Sequence, residues 1–248
     1  AQIGAHLHPW VSPPHTETVN AFNSYPGNLP RELETDKLRL LTEQIIESFD
    51  TRPLTYLAGR YGFGPNTAEI LEELNYEVDI SPAVPINFSA DGGPDYSDYS
   101  NHPYWFGKQR KLLGLPGTGG YAGVLHRGGT PLYNRLTRTW MRRSKLSGLV
   151  ARLRLMERIR LSPEDYSEPE MRRITNTLIR DGVRIFVFSF HSPSIHPGGT
   201  PYVQSEADLK RFLDKCRRYF YYFLNILNGI PMTPVEIRRY LESASSTV

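Results

Sequence analysis

The chain has 248 residues, a length that allows one large domain or two small ones. Apolar residues make up 39% and charged residues 22%, and the formal net charge of +3 gives no reason to expect nucleic acid or an anionic membrane as the partner. No apolar run approaches the roughly 20 residues of a membrane span. The single cysteine, Cys216, cannot form an internal disulfide, and its place in a helical pattern predicts a core position.

A pair of histidines follows the first apolar run of the chain. The segment "QIGA" reads as a strand, and His6 and His8 come after it, two positions apart. Residues i and i+2 of a strand share a face, so the two imidazoles can converge on one metal ion. They could equally be two exposed side chains beside a turn. Because the first residues already belong to a strand, we expect that the chain starts inside a domain.

Five further apolar runs are strand candidates, and most are followed by a loop rich in Pro, Gly or Ser. In chain order they are Pro53–Gly59, Tyr76–Ser81, Leu112–Thr118, Arg158–Pro163 and Val183–Phe190. The last is the clearest, because a near-continuous apolar run is typical of a strand buried on both faces. A long irregular stretch, Pro82–Tyr104, is rich in Pro, Gly, Asp and Tyr, and we expect it to line a pocket.

Helical patterns lie between the strand candidates. They begin at Asn66, at Ser167, at Ser205 and at Thr233. The third is long, and its aromatic run Tyr219–Phe223 reads as helix packing rather than as a platform for sugars. Strands that alternate with helices indicate parallel strands with right-handed crossovers. No dinucleotide-binding or Walker motif follows any strand, so we predict an α/β fold of the barrel type.

Polar residues stand at the ends of several predicted strands, which is where parallel α/β folds carry their sites. Arg60 follows the second strand, Asp79 lies in the third, and His191 follows the last. With His6 and His8 they supply a metal-binding pair, a guanidinium, a carboxylate and a third imidazole, which suits a hydrolase that uses a metal-activated water. The last three also have interpretations without chemistry. Arg60 could be a surface charge, Asp79 a turn former and His191 a hydrogen-bonded histidine. The other histidines, which lie in loops without partners, read as surface residues: His15, His102, His126 and His196.

Three segments, in order over essentially the whole chain, match a known pattern: "GAHLHPW", "AGRYGFGPNTAEILEELNYEVDIS" and "FSFHSPS…HPGGTPYV". They resemble the polysaccharide deacetylase superfamily, the NodB-homology domain, and most closely its WalW-like subgroup. The resemblance implies a single domain over residues 1–248, folded as a distorted (β/α)7 barrel that lacks its first one or two βα units. It also implies the removal of N- or O-acetyl groups from a bacterial polysaccharide or its precursor.

The resemblance implies roles for individual residues. The family holds a divalent metal, often zinc, with one Asp and two His, and its paired histidines correspond to His6 and His8. Arg60 corresponds to the arginine that orients the general base, and Phe63 to an aromatic residue whose backbone N–H supports the oxyanion site. His191 corresponds to the general acid.

The sequence departs from the family pattern in three ways. Asp79 falls where a carboxylate of the fourth motif stands, but "DISP" fits that motif poorly. The family spaces its paired histidines four apart, and here the gap is two. The family's first motif, which precedes the histidines, supplies the base and the metal-binding carboxylate. We expect it upstream of Ala1, and we therefore expect this chain alone to be inactive.

Two other functions are compatible with the same residues. The scaffold could be a catalytically inactive glycan-binding protein, or a metal hydrolase that cleaves another C–N bond, such as that of a ureide. The expected partner of the deacetylase is an acetylated carbohydrate. Nothing in the sequence indicates an oligomer.

Overall fold

The computed structural model describes residues 2–137 and 155–245. The chain divides into two compact units: Ala1–Pro116 together with Met232–Val248, and Gly117–Pro231. Two compact units can belong to one domain or be two separate domains. The single domain expected from the sequence therefore stays a prediction.

The described elements are short strands and six α-helices. The strands are β1 (Ala5–Leu7), β2 (Thr55–Ala58), β3 (Val78–Asp79), β4 (Tyr104–Phe106), β5 (Leu112–Gly114), β6 (Gly119–Ala122) and β7 (Glu157–Arg160). The helices are α1 (Arg31–Phe49), α2 (Thr67–Glu73), α3 (Gly129–Thr137), α4 (Glu168–Arg180), α5 (Glu206–Tyr221) and α6 (Pro234–Ser245). None of the helices within the described ranges combines the length and apolar character that a membrane crossing needs.

The first unit contains a five-stranded sheet in the order β1-β2-β3-β5-β4. Neighbouring strands are parallel from β1 to β5, and only β4 runs antiparallel to its neighbour. The predicted α/β class is therefore confirmed, although the expectation that all strands are parallel is wrong. The sheet is open, with β1 and β4 at its edges, and it does not close into a barrel.

The core of the first unit lies between the sheet and its helices. In β1, Ala5 and Leu7 are buried while His6 between them is exposed, as the two-residue period of a strand requires. Leu38 and Ile45 of α1 pack with them, and α2 adds Ile70 and Leu71. The buried members of this cluster are Ala5, Leu7, Leu38, Ile45, Tyr56, Ala58, Ile70, Leu71, Tyr76 and Leu112.

The second unit contains the antiparallel pair β6–β7, packed against helix α4, which in turn packs against α5. The predicted start of α4 at Ser167 is confirmed, and the structure has a capping box there, in which the Ser167 N–H donates to Glu170 Oε2 at 2.6 Å. Gly182 ends the same helix with a φ of +92°. Helix α5 begins after the Ser205 cap and continues as a π-helical turn, and Cys216 is buried within it, as predicted.

The clearest strand candidate, Val183–Phe190, is not a strand in the structure. Its backbone finds isolated partners instead of a ladder: the Val187 N–H donates to Thr118 Oγ1 at 2.7 Å, and the Ser189 N–H to the Leu161 carbonyl at 3.3 Å. Its aromatic side chains pack against α5, where the Phe188 ring stacks on Tyr219 at 5.5 Å between centroids. The apolar run therefore reflects packing against a helix, which sequence periodicity does not distinguish from burial in a sheet.

Candidate functional site

The parallel strands β1, β2 and β3 bring several predicted site residues to one edge of the first sheet. His6 is level with Leu57 of β2, and Tyr56 of β2 is level with Asp79 of β3. Because these strands run in one direction, their carboxyl ends share an edge. His8 follows the end of β1, and Asp79 is the last residue of β3. His191 belongs to the second unit.

The two histidines of the pair are in direct contact. Their ring centroids are 4.3 Å apart and the ring planes are nearly perpendicular, at 78°. The His6 Nδ1 lies 2.9 Å from the Leu57 carbonyl oxygen. Since a carbonyl oxygen only accepts hydrogen bonds, Nδ1 carries a proton, and in the neutral ring Nε2 keeps the lone pair. This backbone bond fixes the tautomer that a metal ligand needs.

Gly59, directly after β2, is required by the close approach of the β1 end. A Cβ atom at this position would lie 2.3 Å from the Leu7 carbonyl oxygen and 2.6 Å from His8 Nδ1. Both distances are shorter than any van der Waals contact, so only glycine fits. The backbone at Gly59 therefore lies directly against the Leu7 carbonyl and the His8 ring.

Arg60 and Tyr61 continue from Gly59 in left-handed backbone, with φ of +53° and +61°. The Arg60 guanidinium donates to Ser24 Oγ at 2.5 Å, lies 3.3 Å from Asp91 Oδ2, and covers the Tyr25 ring at 4.3 Å. These contacts tie two loops together. Arg60 is therefore more than a surface charge, and the role of orienting a base, which only the resemblance implies, stays a prediction.

Phe63 lies two residues after that turn. Its backbone N–H donates to the Tyr61 carbonyl at 2.9 Å, and its ring meets the Phe106 ring edge-on at 5.8 Å. The N–H that the resemblance places at an oxyanion site is thus engaged within the turn. Its predicted role would require this hydrogen bond to open.

Asp79 is almost completely buried at the end of β3. Its Oδ1 accepts hydrogen bonds from the Ser81 N–H, at 3.1 Å, and from the Ser81 hydroxyl, whose oxygen accepts from the Ala58 N–H at 2.9 Å. Burial raises the pKa of Asp79 to about 7, against the lowering effect of the Ser81 hydrogen bonds. The local geometry is that of a turn former, and the carboxyl group also changes protonation close to neutral pH.

His191 in the second unit is paired with a carboxylate that the sequence analysis did not identify. The His191 Nδ1 lies 2.8 Å from Glu164 Oε2, and the His191 backbone N–H donates to Glu164 Oε1 at 2.9 Å. The Ser194 hydroxyl also donates to Glu164 Oε1, at 2.5 Å. The Glu164 side chain is 4% exposed and the His191 side chain 67% exposed, so a buried carboxylate binds an imidazole that is largely open to solvent.

A buried lysine, also missed in the sequence, anchors the loop that follows His8. The Lys37 ammonium on α1 donates to the carbonyls of Pro9 at 3.1 Å, Ser12 at 2.6 Å and Pro14 at 2.6 Å. It also pairs with Glu17 Oε1 at 3.0 Å, and the lysine side chain is 0% exposed. Three carbonyls and one carboxylate thus enclose the cation, which fixes the loop on the helix.

The remaining histidines divide into two groups. His15, His102 and His196 are exposed, as predicted. His126 is not a partnerless surface residue, because its Nδ1 lies 2.8 Å from the Gly123 carbonyl and its Nε2 3.4 Å from Asp181 Oδ2. The prediction for His126 was therefore wrong.

The site offers a divalent metal two ligands, the imidazoles of His6 and His8. His6 presents Nε2 in the required tautomer, and the His8 ring is in contact with it. Within residues 2–137 and 155–245, no group of three or more His, Cys, Asp or Glu side chains is arranged to hold an ion. Comparisons with family models, curated proteins and solved structures found no match to the chain.

Proposed function

We propose that the protein is a metal-dependent carbohydrate deacetylase, and that its open sheet is an arc of a distorted (β/α)7 barrel. The observation that carries the proposal is the His6–His8 pair at the carboxyl edge of a parallel sheet, with the His6 tautomer fixed by the Leu57 carbonyl. Parallel α/β folds place their chemistry at this edge. The motifs that resemble polysaccharide deacetylases supply the reaction class.

In this proposal His6 and His8 hold the metal, with zinc as the expected ion. When bound, the ion supplies a Lewis acid that polarises the acetyl carbonyl and lowers the pKa of a water molecule. His191 is assigned the role of general acid. Its Nδ1 proton is held by Glu164, so the protonated ring can donate from Nε2 to the leaving amine or alkoxide.

Zinc binding tests the metal site directly. The chain is titrated with zinc in competition with a chromophoric chelator, as wild type and as His6→Ala, His8→Ala and His15→Ala. We expect the first two variants to bind zinc at least tenfold more weakly, because each removes one of two donors. His15→Ala is the control, since this exposed histidine lies in the same unit. Equal zinc affinity in all four proteins would refute the site.

Acetate release tests the reaction. The protein expressed from the complete coding sequence is incubated with acetylated oligosaccharides, with zinc and with chelator. We expect release of acetate that stops when the ion is removed. Release that continues in the presence of the chelator would show that the catalytic groups have been wrongly assigned.

A non-catalytic glycan-binding protein is the second candidate, and the engagement of the Phe63 N–H by the Tyr61 carbonyl favours it. An oxyanion site needs a donor that is free when the reaction begins. This candidate predicts glycan binding that is unaffected by chelator, without release of acetate. The same two assays therefore distinguish the candidates.

A further inference from the structure

Trp10 lies on a rigid turn directly after the histidine pair. Residues Pro9–Val11 form a single 3₁₀ turn, and the Ser12 N–H closes it with hydrogen bonds to the carbonyls of His8 at 3.1 Å and Pro9 at 3.3 Å. The Lys37 ammonium binds the carbonyls of Pro9 and Ser12 from the inner side. The backbone that carries Trp10 is thus fixed at both ends.

The residues of this turn differ sharply in burial. Pro9 and Ser12 are buried, while the side chains between them are presented to solvent, with Trp10 40% exposed and Val11 65% exposed. A large apolar side chain on a flexible loop can be exposed by chance. An indole held in water by an anchored turn is instead a surface available for contact.

The indole continues the row of rings that begins with the histidine pair. The centroid of the Trp10 ring system lies 4.5 Å from that of His8, with a tilt of 51°, and His8 lies 4.3 Å from His6. One side of the indole is therefore in contact with a proposed metal ligand. A molecule that contacts the exposed part of the indole is therefore next to the candidate site.

We propose that Trp10 is a binding platform for one pyranose ring of an acetylated hexosamine or pentose chain. This inference rests on the proposed function, since it names the part of the substrate that the same site would hold. The C–H groups on a pyranose face are apolar and match the free indole surface, while the sugar hydroxyls remain in water. The platform would place the ring beside the histidine pair and so select a polymer over free acetate esters.

The test measures binding of two probes, tetra-N-acetylchitotetraose and an acetylated xylan oligosaccharide, by calorimetry. The proteins are wild type, Trp10→Ala, Trp10→Tyr and Phe49→Ala, each also titrated with zinc. Phe49 is the matched control, because it is an exposed aromatic residue at the last position of α1. This helix runs back from the carboxyl edge of β1 to the start of β2, so its end lies at the opposite edge of the sheet.

We expect Trp10→Ala to weaken binding of at least one probe by about tenfold, the effect of losing one aromatic stacking contact. Trp10→Tyr should keep most of the affinity, and Phe49→Ala all of it. Zinc affinity should be the same in all four proteins. The platform is refuted if Trp10→Ala binds both probes like wild type, if neither probe binds wild type, or if Trp10→Ala also loses zinc, which would make the indole a support for His8.

The two proposals can fail separately. Binding that depends on Trp10, in a protein that releases no acetate, would refute the deacetylase and leave the platform intact. Release of acetate at equal kcat/KM by wild type and Trp10→Ala would leave the deacetylase intact and refute the platform.

Discussion

Glu164 Oε2 lies 2.8 Å from His191 Nδ1, and the same carboxylate accepts the His191 backbone N–H through its other oxygen. A carboxylate that contacts both the ring and the main chain of a histidine fixes the tautomer and the direction of the ring together. This arrangement is typical of histidines that transfer protons.

Replacing His191 tests that role. We expect His191→Ala to lower acetate release by about 10²–10⁴-fold, the contribution of a positioned general acid, while zinc affinity is unchanged. Glu164→Gln should cause a smaller loss, because the ring remains but the tautomer is no longer fixed. The exposed His196 is the control, since His196→Ala should leave acetate release unchanged. Full activity of His191→Ala would exclude this histidine as the acid.

The buried carboxyl of Asp79 predicts a pH-dependent stability. Its pKa is raised from 3.8 to about 7, so the folded state holds a proton that the unfolded chain releases. The resulting stability is fully present below about pH 4 and is lost as the pH rises through 7. In Asp79→Asn this loss should be smaller by up to about 4 kcal/mol, measured as the free energy of unfolding in urea between pH 4 and pH 8.

A control separates this effect from a general effect of charge. Asp98→Asn removes an exposed carboxyl group from the same unit and should leave the pH dependence of stability as in wild type. If Asp79→Asn loses stability with pH as steeply as wild type, the Asp79 carboxyl is not the group responsible.

The enclosed ammonium of Lys37 predicts a large loss of stability in Lys37→Met. The substitution keeps the volume of the side chain but leaves Glu17 and three carbonyls without their donor. Breaking a buried ion pair in this way costs about 3–5 kcal/mol. The double variant Glu17→Gln/Lys37→Met should recover part of that loss, because the unpaired carboxylate is then absent.

The matched control for Lys37 is a lysine in an exposed ion pair. Lys108 Nζ lies 3.0 Å from Glu69 Oε1 with 71% of the lysine side chain exposed. Lys108→Met should therefore change the free energy of unfolding by less than about 1 kcal/mol. Similar losses in the two lysine variants would mean that the enclosure of Lys37 adds nothing to stability.

Elements with local signals were predictable from the sequence. The Ser167 cap, the Gly182 terminus and the N-terminal Pro234 each act within a few residues of their position, and the structure has all three. The prediction of a strand over Val183–Phe190 was wrong because strand formation depends on a partner backbone elsewhere in the chain. An apolar run indicates only that side chains are packed against something, and here the Phe188 ring packs against Tyr219 of helix α5.

The site residues also divide into those that local sequence rules could identify and those that depend on distant parts of the chain. His6 and Asp79 were found because residues at strand ends share an edge when the strands are parallel. Glu164 directly follows the predicted strand Arg158–Pro163, so inspection of the polar residues after each predicted strand could have identified it, although β7 is antiparallel to its neighbour. Lys37 could not have been found this way, because three of its four partners are backbone carbonyls whose directions depend on the folded loop.

The left-handed backbone at Arg60 and Tyr61 has a consequence for attempts to make the protein more heat-resistant. Two adjacent residues with side chains in this conformation cost about 1–2 kcal/mol each. Glycine at either position would remove that strain. The turn is nevertheless held by the Arg60 contact with Ser24 and by the Tyr96 hydroxyl, which donates to the Tyr61 carbonyl at 2.6 Å. Glycine at position 61 keeps this carbonyl contact and loses the stacking of the Tyr61 ring on Phe88, whereas glycine at position 60 loses the guanidinium contacts with Ser24, Asp91 and Tyr25. Thermostability screens should therefore favour substitutions at 61 over those at 60.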